Sequence, residues 1–201
     1  VFSMNVGWRF YKGSINDGAS DLKFNDADWN VVNIPDGLEI VPEEASGSIN
    51  YQGEAWYRKH ITFDTNLKGK KVFLHFEAIM GKSKIWINGT LVNEHFGGYL
   101  PIGIDISNYI KWNTDNVIAV LADNSDDPNY PPGKEQKVLD FAYFGGIYRD
   151  CWLITHNNVF ITDPNNENEV AGGGVLVAYP KVSKNEAELF LKTHIRNAEN
   201  Q

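Results

Sequence analysis

The sequence predicts an all-β fold, a two-sheet sandwich of the jelly-roll type. Three observations predict it. Apolar residues recur with a period close to two over the first three quarters of the 201 residues, which is the spacing of strands that bury one face. Clusters of Gly, Pro, Asn and Asp separate these runs, as turns do. Aromatic residues make up 13% of the chain, which supplies apolar area for a core between two sheets.

The clearest strand pattern covers residues 71–79, where every second residue from Val72 onward falls on one face of an extended chain. The dipeptide Asn88-Gly89 stands between two further β runs, and it predicts a tight hairpin because both central residues of such a turn need positive φ. Other runs bounded by turn residues predict strands at 8–11, 29–34, 55–63, 117–122 and 147–155.

Two segments are too long to be simple turns between these strands. They cover residues 35–53 and 123–146. Long ordered loops in compact domains often carry function. We therefore expect the working parts of the domain in these two segments.

A domain boundary is predicted near Asn157, so that residues 1–156 form the jelly roll and residues 157–201 begin a second unit. Strand patterns at 175–179 and 187–195 resemble the first strands of an immunoglobulin-like β-sandwich that is cut off before completion. We expect the chain to be a segment of a longer polypeptide, because half a sandwich leaves its strand edges unpaired.

Charge and composition narrow the class of partner. The formal net charge of −8 disfavours nucleic acid and anionic lipid, both of which attract clustered Lys and Arg. No apolar stretch reaches the ~18 residues of a membrane helix, so no membrane partner is expected. The lone Cys151 excludes an intrachain disulfide. The cellular compartment stays undetermined, and a soluble periplasmic or secreted bacterial protein is compatible with the sequence.

Four motifs in a fixed order resemble the opening domain of glycoside hydrolase family 2, which includes β-galactosidases, β-glucuronidases and β-mannosidases. The motifs are Gly7-Trp8-Arg9-Phe10 with the acidic turn at 24–29, the Trp56-Tyr57-Arg58-Lys59 run, Trp86-Ile87-Asn88-Gly89, and Gly145-Gly146-Ile147-Tyr148-Arg149-Asp150. The resemblance spans nearly the whole chain. It implies a galactose-binding-like jelly roll that is the non-catalytic N-terminal domain of a larger enzyme.

The resemblance also implies an activity for the parent polypeptide, a retaining exo-glycosidase that hydrolyses terminal β-galactosides. Its two catalytic Glu residues would lie on a (β/α)8 barrel outside this segment, so the segment alone is predicted to be inactive. The alternatives are a β-glucuronidase-type or β-mannosidase-type member of the same family, a free-standing carbohydrate-binding module, and a domain that serves oligomer assembly. The expected partners are a β-linked sugar, the remaining domains and a second copy of the protein.

By resemblance, Asp140 aligns with an Asp that reaches the active site and accepts a hydrogen bond from a hydroxyl of the terminal sugar. Asn50 and its neighbour Tyr51 are the second choice, because an amide offers a donor and an acceptor to adjacent hydroxyls. A structural role in a turn is the alternative for each of these residues. One departure from the family pattern is that Pro35 is followed by Asp36, where family members commonly place a His.

The remaining candidates favour structural roles. No cofactor is expected, and the five His residues lack metal-ligand spacing. Cation binding by Asp123, Asp126 and Asp127 is a minor alternative, and solvated loop charge is the preferred interpretation of the adjacent pairs Glu43-Glu44 and Asp126-Asp127. Core packing is predicted for four of the tryptophans, whereas two stay open between packing and sugar stacking. The core set is Trp8, Trp29, Trp86 and Trp152, and the open set is Trp56 and Trp112.

Overall fold

The computed structural model describes residues 1–16, 18–38, 51–139, 144–167 and 172–199. Within them the regular secondary structure is almost entirely β-strand. In chain order the strands are β1 (Phe2–Ser3), β2 (Trp8–Lys12), β3 (Asn30–Val32), β4 (Glu54–Thr62), β5 (Lys71–Phe76), β6 (Lys82–Ile87), β7 (Thr90–Phe96), β8 (Ile102–Asp105), β9 (Asp115–Asp123), β10 (Cys151–His156), β11 (Val159–Ile161), β12 (Val175–Val182), β13 (Ala187–Thr193) and β14 (Ile195–Asn197). Short 3-10 turns occupy Thr65–Leu67 and Gln136–Val138, and a single helical turn, α1, occupies Pro164–Glu167.

Two antiparallel sheets form the predicted sandwich in the described part of the chain. One has six strands in the order β3-β2-β4-β9-β6-β7, and the other has four in the order β1-β10-β5-β8. Their facing sides hold one hydrophobic core. Its fully buried large side chains include Trp8, Tyr57, Leu74, Phe76 and Ile118. The all-β sandwich is therefore confirmed, and alternation along β5 is strict, with every second residue buried.

The predicted hairpin is present between β6 and β7. Asn88 has φ 54° and Gly89 has φ 85°, the positive values that this turn requires. The Asn88 side chain also ties the turn to the sheet, because its Oδ1 accepts from Val117 N at 3.0 Å and its Nδ2 donates to Asn116 Oδ1 at 2.8 Å. The hairpin thus holds the start of β9 as well as joining its own strands.

The tryptophan predictions need correction. Of the four assigned to the core, only Trp8 is fully buried between the sheets, whereas Trp29, Trp86 and Trp152 are partly exposed. Trp56, which the sequence left open, is buried on the outer face of the six-stranded sheet and stacks on Trp86 with centroids 5.4 Å apart. The reason is that β4 is covered on both faces, so alternation does not tell its two faces apart.

A buried arginine explains why the outer face of β4 is covered. Arg58 has no exposed surface, and its Nε donates to Asp26 Oδ2 at 2.7 Å. Its Nη1 donates to the carbonyl oxygens of Ala19 and Asp21, and its guanidinium lies over the ring of Phe24. The arginine of the Trp-Tyr-Arg-Lys motif therefore holds the loop of residues 18–29 against the sheet.

Beyond β10 the strands form two separate antiparallel pairs, β11 with β14 and β12 with β13. Every residue of β12 and β13 is exposed. The strand patterns at 175–179 and 187–195 are thus confirmed as strands, while the domain boundary near Asn157 stays a prediction. None of the described helices has the length or the apolar composition needed to cross a membrane.

Some strand limits differ from the predicted ones. The pattern at 147–155 predicted a strand from Ile147, but β10 begins at Cys151, because Ile147 and Asp150 bond to neighbouring loops instead of a ladder. The short strands β1 and β8 were missed, since two to four residues are too few to show alternation.

Candidate functional site

The two long segments begin or end at the same end of the two central strands of the six-stranded sheet. Glu54, at the start of β4, pairs with Asp123, at the end of β9. The buried Asn124 then fastens one segment to the other, because its Oδ1 accepts from Gly53 N at 2.9 Å and its Nδ2 donates to Tyr51 O at 2.7 Å. Antiparallel pairing thus brings together two stretches that are far apart in the sequence.

A second contact links the same two segments through one carboxylate oxygen. Asp126 Oδ1 accepts from Gln52 Nε2 at 2.6 Å and from Gln136 N at 2.9 Å. Gln52 follows Tyr51, and Gln136 begins the 3-10 turn that leads to Leu139. Asp126 was predicted to be solvated loop charge; it is exposed in a loop, and its carboxylate also bonds to both segments.

The Pro35-Asp36 departure from the family pattern has a clear partner in the structure. Tyr57 donates its hydroxyl to Asp36 Oδ2 at 2.9 Å, and Asp36 N donates to Ile147 O at 2.8 Å. Burial raises the pKa of Asp36, and the bond from Tyr57 only partly offsets this. Burial, together with the Asp36 charge, raises the pKa of the Tyr57 hydroxyl strongly, so Tyr57 stays a donor.

The glycine pair of the Gly145-Gly146-Ile147 motif fits where these segments meet. A Cβ at Gly145 would collide with Leu38 and with the side-chain amide of Asn124. A Cβ at Gly146, which has φ 74°, would collide with the Tyr57 hydroxyl. The motif is therefore explained by close packing of three loop ends and not by ligand chemistry.

A small apolar cluster extends from the point where these loops meet to the β7–β8 turn. Leu139 packs with Met80 and Tyr148. The Tyr148 hydroxyl donates to Gly98 O, and Met80 N donates to Gly146 O at 3.0 Å. The turn that this cluster supports exposes three large apolar side chains, Phe96, Tyr99 and Leu100.

Of the three predicted site residues, only Tyr51 lies within the described part of the chain. Tyr51 is described, and its hydroxyl donates to Glu54 O at 2.7 Å while Lys12 Nζ lies 5.2 Å from its ring centroid. Burial raises the pKa of Tyr51. Its hydroxyl is therefore used inside the fold. Asn50 and Asp140 lie outside the described residues, as do Glu43 and Glu44, but each of the first two adjoins a described neighbour, Tyr51 or Leu139.

The acidic residues suggested as cation ligands have protein partners. Asp127 pairs with Lys82 Nζ at 2.9 Å, Asp123 Oδ1 accepts from Ser125 N at 2.9 Å, and Asp126 is bound as described above. Across the described ranges no group of three or more His, Cys, Asp or Glu side chains could hold a metal ion.

Asp150 and Arg149 of the same motif make contacts within the domain. Asp150 Oδ1 accepts from Asn5 Nδ2 at 2.8 Å, and the Arg149 guanidinium lies over the Tyr148 ring at 5.8 Å. The residues that sequence reasoning missed are Asn124 and Asp126. Their position directly after the end of β9 was the available signal, because polar side chains there can bond to the adjoining loop.

Comparison with known proteins identifies the relatives of this fold. The family model described as glycosyl hydrolases family 2, sugar binding domain, matches residues 21–157. A β-galactosidase from Thermoanaerobacter pseudethanolicus is 38% identical over 81% of this chain and 22% of its own length. A β-glucuronidase from Formosa agariphila is 30% identical over the full chain and 22% of its own length.

Solved structures agree in fold. A Bacteroides uniformis β-glucuronidase 2 superposes with TM-score 0.83 at 30% identity, covering 98% of this chain and 22% of that protein. A putative β-galactosidase from Bacteroides fragilis gives TM-score 0.80 at 32% identity, covering the whole chain and 29% of that protein. The chain thus spans 22% of the length of each of the two curated relatives named above.

Proposed function

Because the chain belongs to glycosyl hydrolase family 2 and contains the sugar binding domain of that family, we propose that it is the non-catalytic N-terminal part of a retaining exo-glycosidase acting on terminal β-galactosides. In this role it supplies side chains that complete the sugar-binding pocket of a catalytic neighbour. The observation that carries the proposal is the convergence of the segments preceding β4 and following β9 on Asn124 and Asp126.

The joining of the two segments matters for Asn50 and Asp140, because each is the chain neighbour of an anchored residue. Consecutive Cα atoms are about 3.8 Å apart, so each candidate lies within that distance of an anchored neighbour. Tyr51 is held by Asn124, and Leu139 is held in the apolar cluster with Met80. An amide and a carboxylate suit a sugar, because they present donors and acceptors to adjacent hydroxyls.

The exposed apolar turn supports a neighbour on this side of the sandwich. Phe96, Tyr99 and Leu100 lie within five residues, and the turn is supported by the same cluster that anchors Leu139. Contiguous exposed apolar side chains mark interaction surfaces. In this proposal the catalytic Glu pair belongs to a neighbouring domain that covers this end of the sandwich. The chain alone is then inactive.

A β-glucuronoside is the second candidate for the substrate. It is favoured by the Formosa agariphila relative and by the Bacteroides uniformis structure, both of which are named β-glucuronidases. The β-galactoside comes first because the relative named β-galactosidase has the higher identity of the two curated relatives, 38% against 30%. Comparing aryl β-galactoside and aryl β-glucuronide turnover by the full-length protein separates the two candidates.

The sharpest test of the site is Asp140→Ala in the full-length protein. A charge-assisted hydrogen bond contributes about 1.5–3 kcal/mol, so kcat/KM on the preferred substrate should fall roughly 10-fold to 150-fold. The matched control is Asp28→Ala, another carboxylate, on the exposed surface of the 18–29 loop, which should leave kcat/KM unchanged. An unchanged rate for Asp140→Ala would remove this residue from the pocket.

The isolated chain tests the remaining alternatives. It should show no turnover of either aryl glycoside above background. Calorimetric sugar binding by the isolated chain in the millimolar range or tighter would instead favour a free-standing carbohydrate-binding module. Light scattering of the chain beside the full-length protein would reveal whether it carries the oligomer contact.

A further inference from the structure

His60 lies between two carboxylates, at the end of β4 that is opposite the candidate site. Its Nδ1 is 2.6 Å from Asp115 Oδ2, on the first residue of β9. Its Nε2 is 3.0 Å from Asp26 Oδ2, on the 18–29 loop. The candidate site lies near Glu54, six residues away along β4, which is about 20 Å at the rise of an extended strand.

Both ring nitrogens of His60 therefore face an acceptor. A carboxylate that is ionised has lone pairs and no proton to give, and a neutral imidazole has only one N–H. A neutral His60 would place its unprotonated nitrogen against a carboxylate oxygen, with repulsion in place of a hydrogen bond. Only the doubly protonated ring satisfies both contacts. We infer that His60 is a protonation-dependent clasp that fastens the 18–29 loop to β9 while the imidazole is charged.

The surrounding charges favour the clasped state. From the described elements packed around His60, the charged groups are Asp115 on β9, Asp26 on the loop, Arg58 on β4 and Arg9 on β2. Arg58 is compensated by its own bond to Asp26. Arg9 lines a cavity of about 420 Å³ together with His60 and Asp26.

The direction of the pKa agrees with the geometry. Burial pushes the pKa of His60 down, but the hydrogen bonds and charges of Asp115 and Asp26 outweigh burial and leave it above its ordinary value of 6.5. A raised pKa in the folded state means that the clasp contributes its full stabilisation below 6.5 and loses it as pH rises through the folded value.

Release of the clasp should be local. Asp26 stays bound to Arg58 when His60 loses its proton, and Arg58 also keeps its bonds to the carbonyl oxygens of Ala19 and Asp21, so the loop stays attached to β4. The sandwich core does not include His60. We therefore expect faster opening of residues 18–29 at alkaline pH, without loss of the strands beneath them.

Hydrogen–deuterium exchange of the full-length protein, corrected for intrinsic rates, tests this between about pH 5.5 and pH 8.5. Protection of residues 18–29 should fall across this range in the wild type, because the folded pKa of His60 lies above its ordinary value. It should stay flat in His60→Gln, which keeps a polar side chain but does not titrate. Peptides from β5 and β10 should show no pH trend in either protein.

Two further variants keep the test sharp. Asp115→Asn removes one carboxylate, so the pH at which protection falls should move to lower values. His95→Gln is the matched control, because burial alone lowers the pKa of His95, and this substitution should leave the behaviour of residues 18–29 unchanged. Identical pH trends in the wild type and His60→Gln, or a trend that extends to β5 and β10, would overturn the inference. Neither result would bear on Asp140 or on the proposed glycosidase.

Discussion

The sandwich and the β12–β13 ribbon are built from similar alternating residues, yet they bury very different amounts of side chain. In β5 every second residue is buried, whereas all residues of β12 and β13 are exposed. Leu74 on β5 has no exposed surface, and Leu191 on β13 is 57% exposed. Alternation creates an apolar face, but burial requires a second layer opposite that face.

An alternating pattern therefore predicts where a strand forms, whereas packing on a second sheet determines how strongly that strand is stabilised. An isolated two-stranded ribbon is marginally stable in water, while a sheet packed on another sheet gains the free energy of apolar burial. The same substitution should therefore have a large effect in the sandwich and a small one in the ribbon. Three matched pairs of variants measure this contrast.

The largest effect is expected from the buried arginine. Arg58→Ala leaves Asp26 without its main partner and several backbone carbonyls without donors, so the free energy of unfolding should fall by about 3–5 kcal/mol. Lys181→Ala removes a cation from the ribbon, where it pairs with Glu186 and both side chains are 61% exposed. That change should cost at most about 1 kcal/mol. Chemical denaturation monitored by tryptophan fluorescence gives both values, and similar losses for the two variants would contradict the comparison.

The next pair uses leucines of opposite exposure. Leu74→Ala should cost about 2–5 kcal/mol, because it removes apolar contacts and leaves a cavity between the sheets. Leu191→Ala should stay within about 0.5 kcal/mol of the wild type. If Leu191→Ala proved as costly as Leu74→Ala, another part of the protein must cover the ribbon, and thermal unfolding of the full-length protein would reveal this.

The smallest effect is expected from removing one hydroxyl. Tyr57→Phe takes a donor from ionised Asp36, which should cost about 1.5–3 kcal/mol near neutral pH. Burial places the pKa of Asp36 above its ordinary value of 3.8, so the penalty should shrink as pH falls through the folded value and the carboxyl becomes neutral. Tyr179→Phe, on the exposed face of β12, should be neutral at every pH. A pH-independent penalty for Tyr57→Phe would show that Asp36 does not need this donor.

Much of the sandwich could be predicted because its signals are local. The alternation in β5 and the Asn88-Gly89 turn each depend on a few consecutive residues, and both were correct. The outer face of β4 was not predictable in this way. Trp56 stacks on Trp86 of β6, and Arg58 is buried under a loop that is distant in sequence. No local pattern shows which part of the chain will cover a strand.

The candidate site was also predictable from local signals only in part. The two long segments were identified from their length alone, and the structure joins their described ends. Asn124 and Asp126 were missed as the joining residues, because their partners Gly53 and Gln52 are more than 70 residues away. The choice of Asp140 and Asn50 came from family resemblance and stays a prediction.

The close packing at Gly145 and Gly146 limits how this protein can change. Any larger residue at either position would displace Leu38, Asn124 or Tyr57, which lie at the base of the two long segments. If the proposed function is correct, substitutions in the two long segments away from these glycines are the way to change sugar preference. A library designed to test this should leave the two glycines fixed.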